Sequence, residues 1–403
     1  MRKLVLAGVA VLAALPAAAA SPPRDPTVLA IDGRMSGRER LVSVDPLTLR
    51  PRGTRGVDLA RHGFPYAFSA DRSRLVLTRW EPPSLRVVDA RRLRVLRTVP
   101  LGGNRRVEVH AVAWVAGRIV VLLERSSREF AVLRVDPVEG KVVAGVPTRR
   151  WPAEVAATEN RLVVLLRPHG RIGSARLLVV TPERVRTVTL AGIRAGSVPA
   201  RKGKPYTTVI PGLAVSRREA RAWVIGARRS AEVDLRTLVV RYHGEPRHLS
   251  LHKVPIVGSA RDVQWLPSGE LVVTGWDAVR NEQGEIVSIP SGLRLLEPRG
   301  WTDRLIHPRA PLFYVRSKQL LTIAPGEPDC GGPMLTAYTL GGMQLYRVCE
   351  ARSTGAVQFA GRYARLGRFD GRVAIVDLDS GAVVARTRET RVHPLQSSLL
   401  EES

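Results

Sequence analysis

The chain has 403 residues, 63 Lys and Arg against 36 Asp and Glu, a formal net charge of +27, and 44% hydrophobic but only 5% aromatic residues. That apolar content supports a packed core, and the scatter of 35 glycines and 29 prolines excludes one long low-complexity tract. The basic excess is nearly all Arg, with Lys only at positions 3, 141, 202, 204, 253 and 318, and it is spread along the chain rather than gathered in one block. Such a spread reads first as a solvated basic surface and second as a site for an anionic polymer.

At the N-terminus, Arg2 and Lys3 precede an apolar run from Leu4 to Leu15 interrupted only by Gly8, and Ala18-Ala19-Ala20 before Ser21 forms an A-x-A cleavage pattern. Residues 1–20 are expected to be a signal peptide and 21–403 a single exported domain, secreted or held at the cell envelope. The alternative is an uncleaved anchor, but the apolar run is shorter than the roughly 20 residues a span needs. No Cys follows the run for lipid attachment, and no later stretch is long and apolar enough to cross a membrane. In an exported chain the two cysteines, Cys330 and Cys349, are expected to form one disulfide.

From there on one phrase recurs: alternating apolar residues, a short polar anchor, a turn, then β-branched residues. It runs LVSVDPLTLRP at 41–51, LRVVDARRLRVL at 85–96, LRVDPVEGKVV at 133–143, LLVVTPERVRTV at 177–188 and AEVDLRTLVV at 231–240. Weaker copies are LRLLEPRGWTDRL at 293–305 and LTAYTLGGMQL at 335–345, and the last is VAIVDLDSGAVV at 373–384. The anchors are Asp45, Asp89, Asp136, Thr181, Asp234, Glu297, Thr339 and Asp377, spaced by 38 to 63 residues. Four strands with their turns fill about 40–50 residues, the period of a propeller blade. A short polar side chain at a strand end can bond the backbone of the following turn, so the anchors read as turn formers, not catalytic carboxylates. Two apolar runs precede each anchor, as in Ala111 to Val115 and Ile119 to Leu123 around Ala116-Gly117-Arg118. Each repeat therefore reads as strands a, b, c and d.

The stretches FSADRSRLVLTRW at 68–80 and LRVVDARRLRVLRTVPL at 85–101 resemble the YVTN/WD40-like propeller repeat, with its turn phrase, its V-x-V-I-D phrase and its V-V-x-T-I-P phrase. The resemblance covers nearly all of residues 21–403 and implies an all-β fold: one β-propeller of four-stranded antiparallel blades. Eight blades are expected, seven being the alternative. The first repeat lacks strand a, and residues 393–398 look like one, so the ring is expected to close by pairing the C-terminus with the first repeat. The chain also resembles quinoprotein propellers, but VDPVEGKVVAGVP at 135–147 and VDLDSGAVVART at 376–387 lack the Trp that ends their phrase, so no quinone and no other cofactor is expected.

If strand a begins at one face, the long connections 191–207, 244–260, 276–292 and 325–332 all lie on that face, between the fourth and seventh repeats. Loops beyond the minimum length often carry function. Arg194, Arg201, Lys202 and Lys204 make a candidate anion-binding stretch there. His243, His248 and His252 have no supporting cysteines or carboxylate cluster, so no metal site is expected. Walker, H-E-x-x-H, G-x-S-x-G, G-x-G-x-x-G and EF-hand patterns are absent. Aligning the inner strands puts Glu154 and Asp262 at equivalent positions, with His110 and Arg261 one residue earlier, where side chains can reach the mouth of the central channel.

The leading expectation is a monomeric, non-enzymatic binding or interaction module that uses its long-loop face, its partner another protein or an anionic polymer at the cell surface. One alternative is an enzyme of lactonase or quinoprotein type with a polar site of His110, Glu154, Arg261 and Asp262 at the channel mouth. A second is a binder of anionic polymers through the basic surface.

Overall fold

The computed structural model describes residues 28–33, 39–102, 108–126, 129–199, 206–216, 218–244, 256–316, 318–324, 330, 333–350, 357–367, 372–388 and 392–395. The expected signal peptide, residues 1–20, lies outside them. No helix among the described residues is long and apolar enough to cross a membrane.

Seven of the eight anchors organise their own turn, while Glu297 accepts instead from the Thr302 hydroxyl at 3.4 Å. The Asp45 Oδ1 accepts the backbone N–H groups of Leu47 and Thr48 at 3.1 and 2.8 Å. Asp136 takes those of Val138 and Glu139, Asp234 those of Arg236 and Thr237, and Asp377 those of Asp379 and Ser380. Thr181 and Thr339 do the same through Oγ1, to Arg184 and Met343. This is why Asp and Thr exchange at the position: either supplies an oxygen two to four residues ahead of an unpaired donor. The hydrogen bonds hold the Asp89, Asp136 and Asp234 carboxyls below the usual carboxylate range, through the backbone N–H groups of Arg92, Glu139 and Thr237 respectively.

Strands pair antiparallel around these turns. Among the described residues, six sheets have four strands each. The third, for example, runs outward through Glu108–Val115, Arg118–Ser126, Glu129–Asp136 and Lys141–Thr148. The expectation of eight blades, or of seven, is corrected: six blades stand as separate four-stranded sheets. The fourth and sixth repeats instead belong to one ten-stranded sheet. The cause is the long connection after the fourth repeat. Val185–Val198 runs on past its own repeat and pairs with Thr207–Ile210, which pairs in parallel with Ile256–Trp265 of the sixth. A second connection is also a strand: Ile286–Pro290 folds back on Leu271–Arg280. The expected pairing of the C-terminus with the first repeat is present, although no sheet closes on itself. The C-terminus adds two residues, with Ile31 facing His393 and Ala30 facing Pro394, beside Val28–Asp32.

The core lies between repeats. One cluster joins Val76, Leu85, Val87 and Val99 of the second repeat to Val121, Leu123, Ala131 and Leu133 of the third. Another joins Trp223 and Ile225 of the fifth to Val263 and Val273 of the sixth, where Trp223 stacks on Trp265 at 4.3 Å. Ala360 of the last repeat packs with Val28, Val42 and Leu49 of the first. Burying each such side chain contributes about 1.5–3 kcal/mol, so the interfaces between neighbours hold the ring together.

A polar clamp reinforces these interfaces. A side chain on strand d of one repeat donates to a carbonyl in the anchor turn of the next. Arg97 bonds the Val138 carbonyl at 2.9 Å, and Arg186 bonds those of Leu235 and Arg236 at 2.9 and 2.7 Å. Arg304 bonds Gly341 at 2.6 Å, and the Tyr346 hydroxyl bonds Leu378 at 2.6 Å. Glycines in the receiving turns make room: a Cβ on Gly140 would lie 3.0 Å from Arg97, and one on Gly381 would lie 2.4 Å from the Tyr346 ring. Cys330 and Cys349 form the expected disulfide, tying the loop before Met334–Thr339 to the end of Gln344–Val348.

Two outcomes follow. Gly117, with φ of +78° and open space around it, isolates the backbone cost of adding a Cβ, whereas Gly381, with φ of +74°, adds the collision with Tyr346. Gly117→Ala is expected to lower the unfolding free energy by about 1 kcal/mol and Gly381→Ala by about 2–3 kcal/mol, read by urea denaturation. The second outcome concerns acid. Ser73 and Ser69 bonds pull Asp71 down to about 2. Depressed carboxyls contribute stability that is present above their unfolded value, about pH 4, and is lost as pH falls through the folded one. Thermal midpoints should therefore fall between about pH 4 and pH 2, and Asp71→Asn should shallow that fall.

Candidate functional site

The four residues expected at the channel mouth do not form one site. Glu154 and Asp262 lie on the inner strands Trp151–Thr158 and Ile256–Trp265. Burial pushes Glu154 up to about 7, and the Asp262 charge adds to the shift. Burial likewise raises Asp262. Tyr314, on Leu312–Arg316, is raised by burial and then by Asp262. The Asp262 charge thus acts on both Glu154 and Tyr314. Arg261 points the other way: its Nη2 donates to Asp277 at 2.7 Å and its Nη1 to the carbonyls of Ala260 and Trp276. The Arg261–Asp277 side chains are 1% and 2% exposed, which makes this pair a structural tie inside the sixth repeat.

His110 belongs elsewhere. In the hairpin of the third repeat, Val109 faces Leu123 and Ala111 faces Leu122, so His110 is the extra residue of a β-bulge. A bulge turns a side chain out of the regular alternation. Here it aims Nε2 at Glu124, 2.8 Å away, and lays the ring 5.0 Å from Phe130. The same shift brings Glu108 directly opposite Glu124. One ligand atom each from Glu108, His110 and Glu124 all lie within 4.8 Å of one another.

Two of the three, Glu108 and Glu124, line a cavity of about 800 Å³ that spans the first three repeats. Its wall is made where strand a begins and strand b ends: Gly63 and Phe64 with Thr78 to Glu81 in the second repeat, Glu108 with Glu124 to Ser126 in the third. Ile31 and Glu39 come from the first repeat, and Arg61 from the connection to the second. That is the face expected to carry function, but at repeats one to three rather than four to seven. Three arginines (Arg61, Arg79, Arg125) and four glutamates (Glu39, Glu81, Glu108, Glu124) are among its lining residues. The Trp80 side chain is 52% exposed, and Arg79 Nε is fixed on the Glu81 carbonyl at 2.6 Å. Behind the wall, buried His62 bonds the Leu59 carbonyl and the Ser84 hydroxyl at 2.8 and 3.1 Å, which locks the segment that carries Arg61. Burial pulls His62 down to about 4, so it is neutral at physiological pH.

Of the candidate anion-binding stretch, Arg194 lies exposed on the strand Val185–Val198, where its backbone pairs with Ser174. Arg201, Lys202 and Lys204 lie outside the described residues, as do His248 and His252. His243 stacks on Trp301 at 4.2 Å.

No family model matches the chain, and no curated protein matches it. Solved structures do. The dihydro-heme d1 dehydrogenase NirN, in complex with DHE, superposes with a TM-score of 0.57 at 13% identity, over 93% of this chain and 76% of that one. BamB from Moraxella catarrhalis gives 0.43 at 11%, over 87% and 93%, and a europium-containing methanol dehydrogenase 0.44 at 12%, over 79% and 77%. At these identities the likeness concerns the fold: the chain is a β-propeller, an architecture that serves enzymes and binding modules alike.

The channel carboxylates give one expected outcome. A carboxyl whose folded pKa is raised favours the fold while protonated, and that contribution is lost as pH rises from its ordinary value of 4.5 to about 7. Glu154→Gln should therefore raise the thermal midpoint at pH 8 and leave it unchanged at pH 4, measured by scanning calorimetry.

Proposed function

We propose that this protein is an exported, monomeric binding module of the YVTN/WD40-like type whose ligand is a small organic anion with a flat ring. The observation that carries this reading is the cavity of about 800 Å³ edged by Arg61, Arg79, Arg125 and the exposed Trp80. Its size suits a small organic molecule. Guanidiniums bond carboxylate or phosphate oxygens through paired N–H groups, and an exposed indole offers a flat face to a ring. The Cys330–Cys349 disulfide supports an oxidising location.

A second reading, an enzyme using the channel mouth, is favoured by Glu154 alone, because a carboxyl near 7 can exchange protons at neutral pH. The two readings use different residues. Calorimetric titration with benzoate, adenosine monophosphate and glucose 6-phosphate tests the first. At least one ring-bearing anion should bind, its uncharged analogue should not, and Trp80→Ala and Arg79→Ala should each weaken binding tenfold or more. Silence from all three probes, or binding indifferent to both substitutions, would sink it.

A further inference from the structure

We propose that Glu108, His110 and Glu124 form a binding site for a divalent transition-metal cation whose open positions face the cavity. Two carboxylates directly opposite each other on a strand pair repel, and Glu108 and Glu124 are such partners. His110 answers only one of them, since its Nε2 is bonded to Glu124. A cation would neutralise both. The three side chains supply two carboxylate oxygens and one imidazole nitrogen within 4.8 Å of one another. First-row cations bond such donors at about 2.0–2.2 Å, and Glu108, being exposed, has room to rotate its carboxylate toward the other two.

The surroundings favour a stable and open site. His110 is held on its bulge between the Glu124 carboxylate and the Phe130 ring, so the ring is oriented in advance. The donors come from one hairpin, Glu108–Val115 and Arg118–Ser126, and do not depend on contacts between repeats. Among the described residues three protein donors converge, and two of them, Glu108 and Glu124, line the cavity beside Arg125. The mixture of oxygen and imidazole donors suits Mn²⁺ or Zn²⁺ better than Mg²⁺, which prefers oxygen alone. Formation of such a site inside a chain of net charge +27 needs local carboxylates, and here they are concentrated. The inference stands on this hairpin and does not require that the cavity take an organic anion.

The test uses the full chain, stripped with chelator and titrated with Mn²⁺, Zn²⁺ or Mg²⁺ in the absence of any organic probe. One equivalent of Mn²⁺ or Zn²⁺ should bind and raise the thermal midpoint. Glu108→Gln, His110→Gln and Glu124→Gln should each weaken binding at least tenfold, and Glu282→Gln, on a distant hairpin, should not. In Mn²⁺-loaded protein, the imidazole-nitrogen modulation seen by pulsed electron paramagnetic resonance should vanish in His110→Gln while that variant keeps its β circular dichroism. Mg²⁺ binding as tightly as Mn²⁺, metal binding unchanged in all three variants, or no binding at all would each overturn the proposal. A chain that binds metal but no anion probe retains this site and loses the reading under Proposed function.

Discussion

The interaction on which the ring depends is the paired use of the anchor turn. Within a repeat, Asp136 or Asp234 accepts the turn's free N–H groups. From the preceding repeat, Arg97 or Arg186 donates to the turn's free carbonyls. A tight turn at a strand end leaves both kinds of backbone group without ladder partners, and each must be satisfied. Here an acid satisfies one set from inside and a base or hydroxyl the other from outside. The apolar clusters between repeats then close around a fixed register, because strand d of the second, fourth, sixth and seventh repeats is pinned to its neighbour's turn.

This arrangement changes the meaning of the charge. Arg97, Arg134, Arg186, Arg304 and Arg365 all donate to carbonyls of an adjoining repeat, Arg134 to Pro182 and Arg365 to Leu47. A carbonyl accepts a hydrogen bond without cancelling the formal charge, so a ring clamped this way accumulates positive charge as a structural by-product. Lysine, with a shorter reach to paired acceptors and no planar fork, is a poorer substitute. The basic composition therefore gives weak support to a polyanion ligand, and the carboxylates gathered at one cavity are the more informative feature.

Much of the fold was legible because its signals are local. The anchors, the hairpin turns such as Ala116-Gly117 and the order of strands a to d all follow from neighbouring residues. The association of sheets was not, since it depends on pairings far apart in sequence. The segment 191–198 exceeds the repeat and so reads as loop, yet Ile193 and Ala195 are buried and the stretch forms a strand. The candidate site was half legible. His110 was singled out, but for the channel, because simple alternation along Glu108–Val115 ignores the bulge at that residue. Glu108 and Glu124 were missed for the same reason: only the bulge brings them into register. A carboxylate two residues before a histidine, with another at the far end of the same hairpin, was the available signal.

The strand Thr207–Ile210 has a mechanical consequence. It bridges Val185–Val198 to Ile256–Trp265 by backbone hydrogen bonds, so the fourth and sixth repeats cannot part unless a sheet is torn. Around the first three repeats, neighbouring sheets adhere, among the described residues, by apolar contact and single side-chain clamps such as Arg97 to Val138. The ring thus has one arc joined by strand pairing and one joined by side-chain contact, and the cavity lies in the second, so its shape rests on packing and not on a continuous sheet.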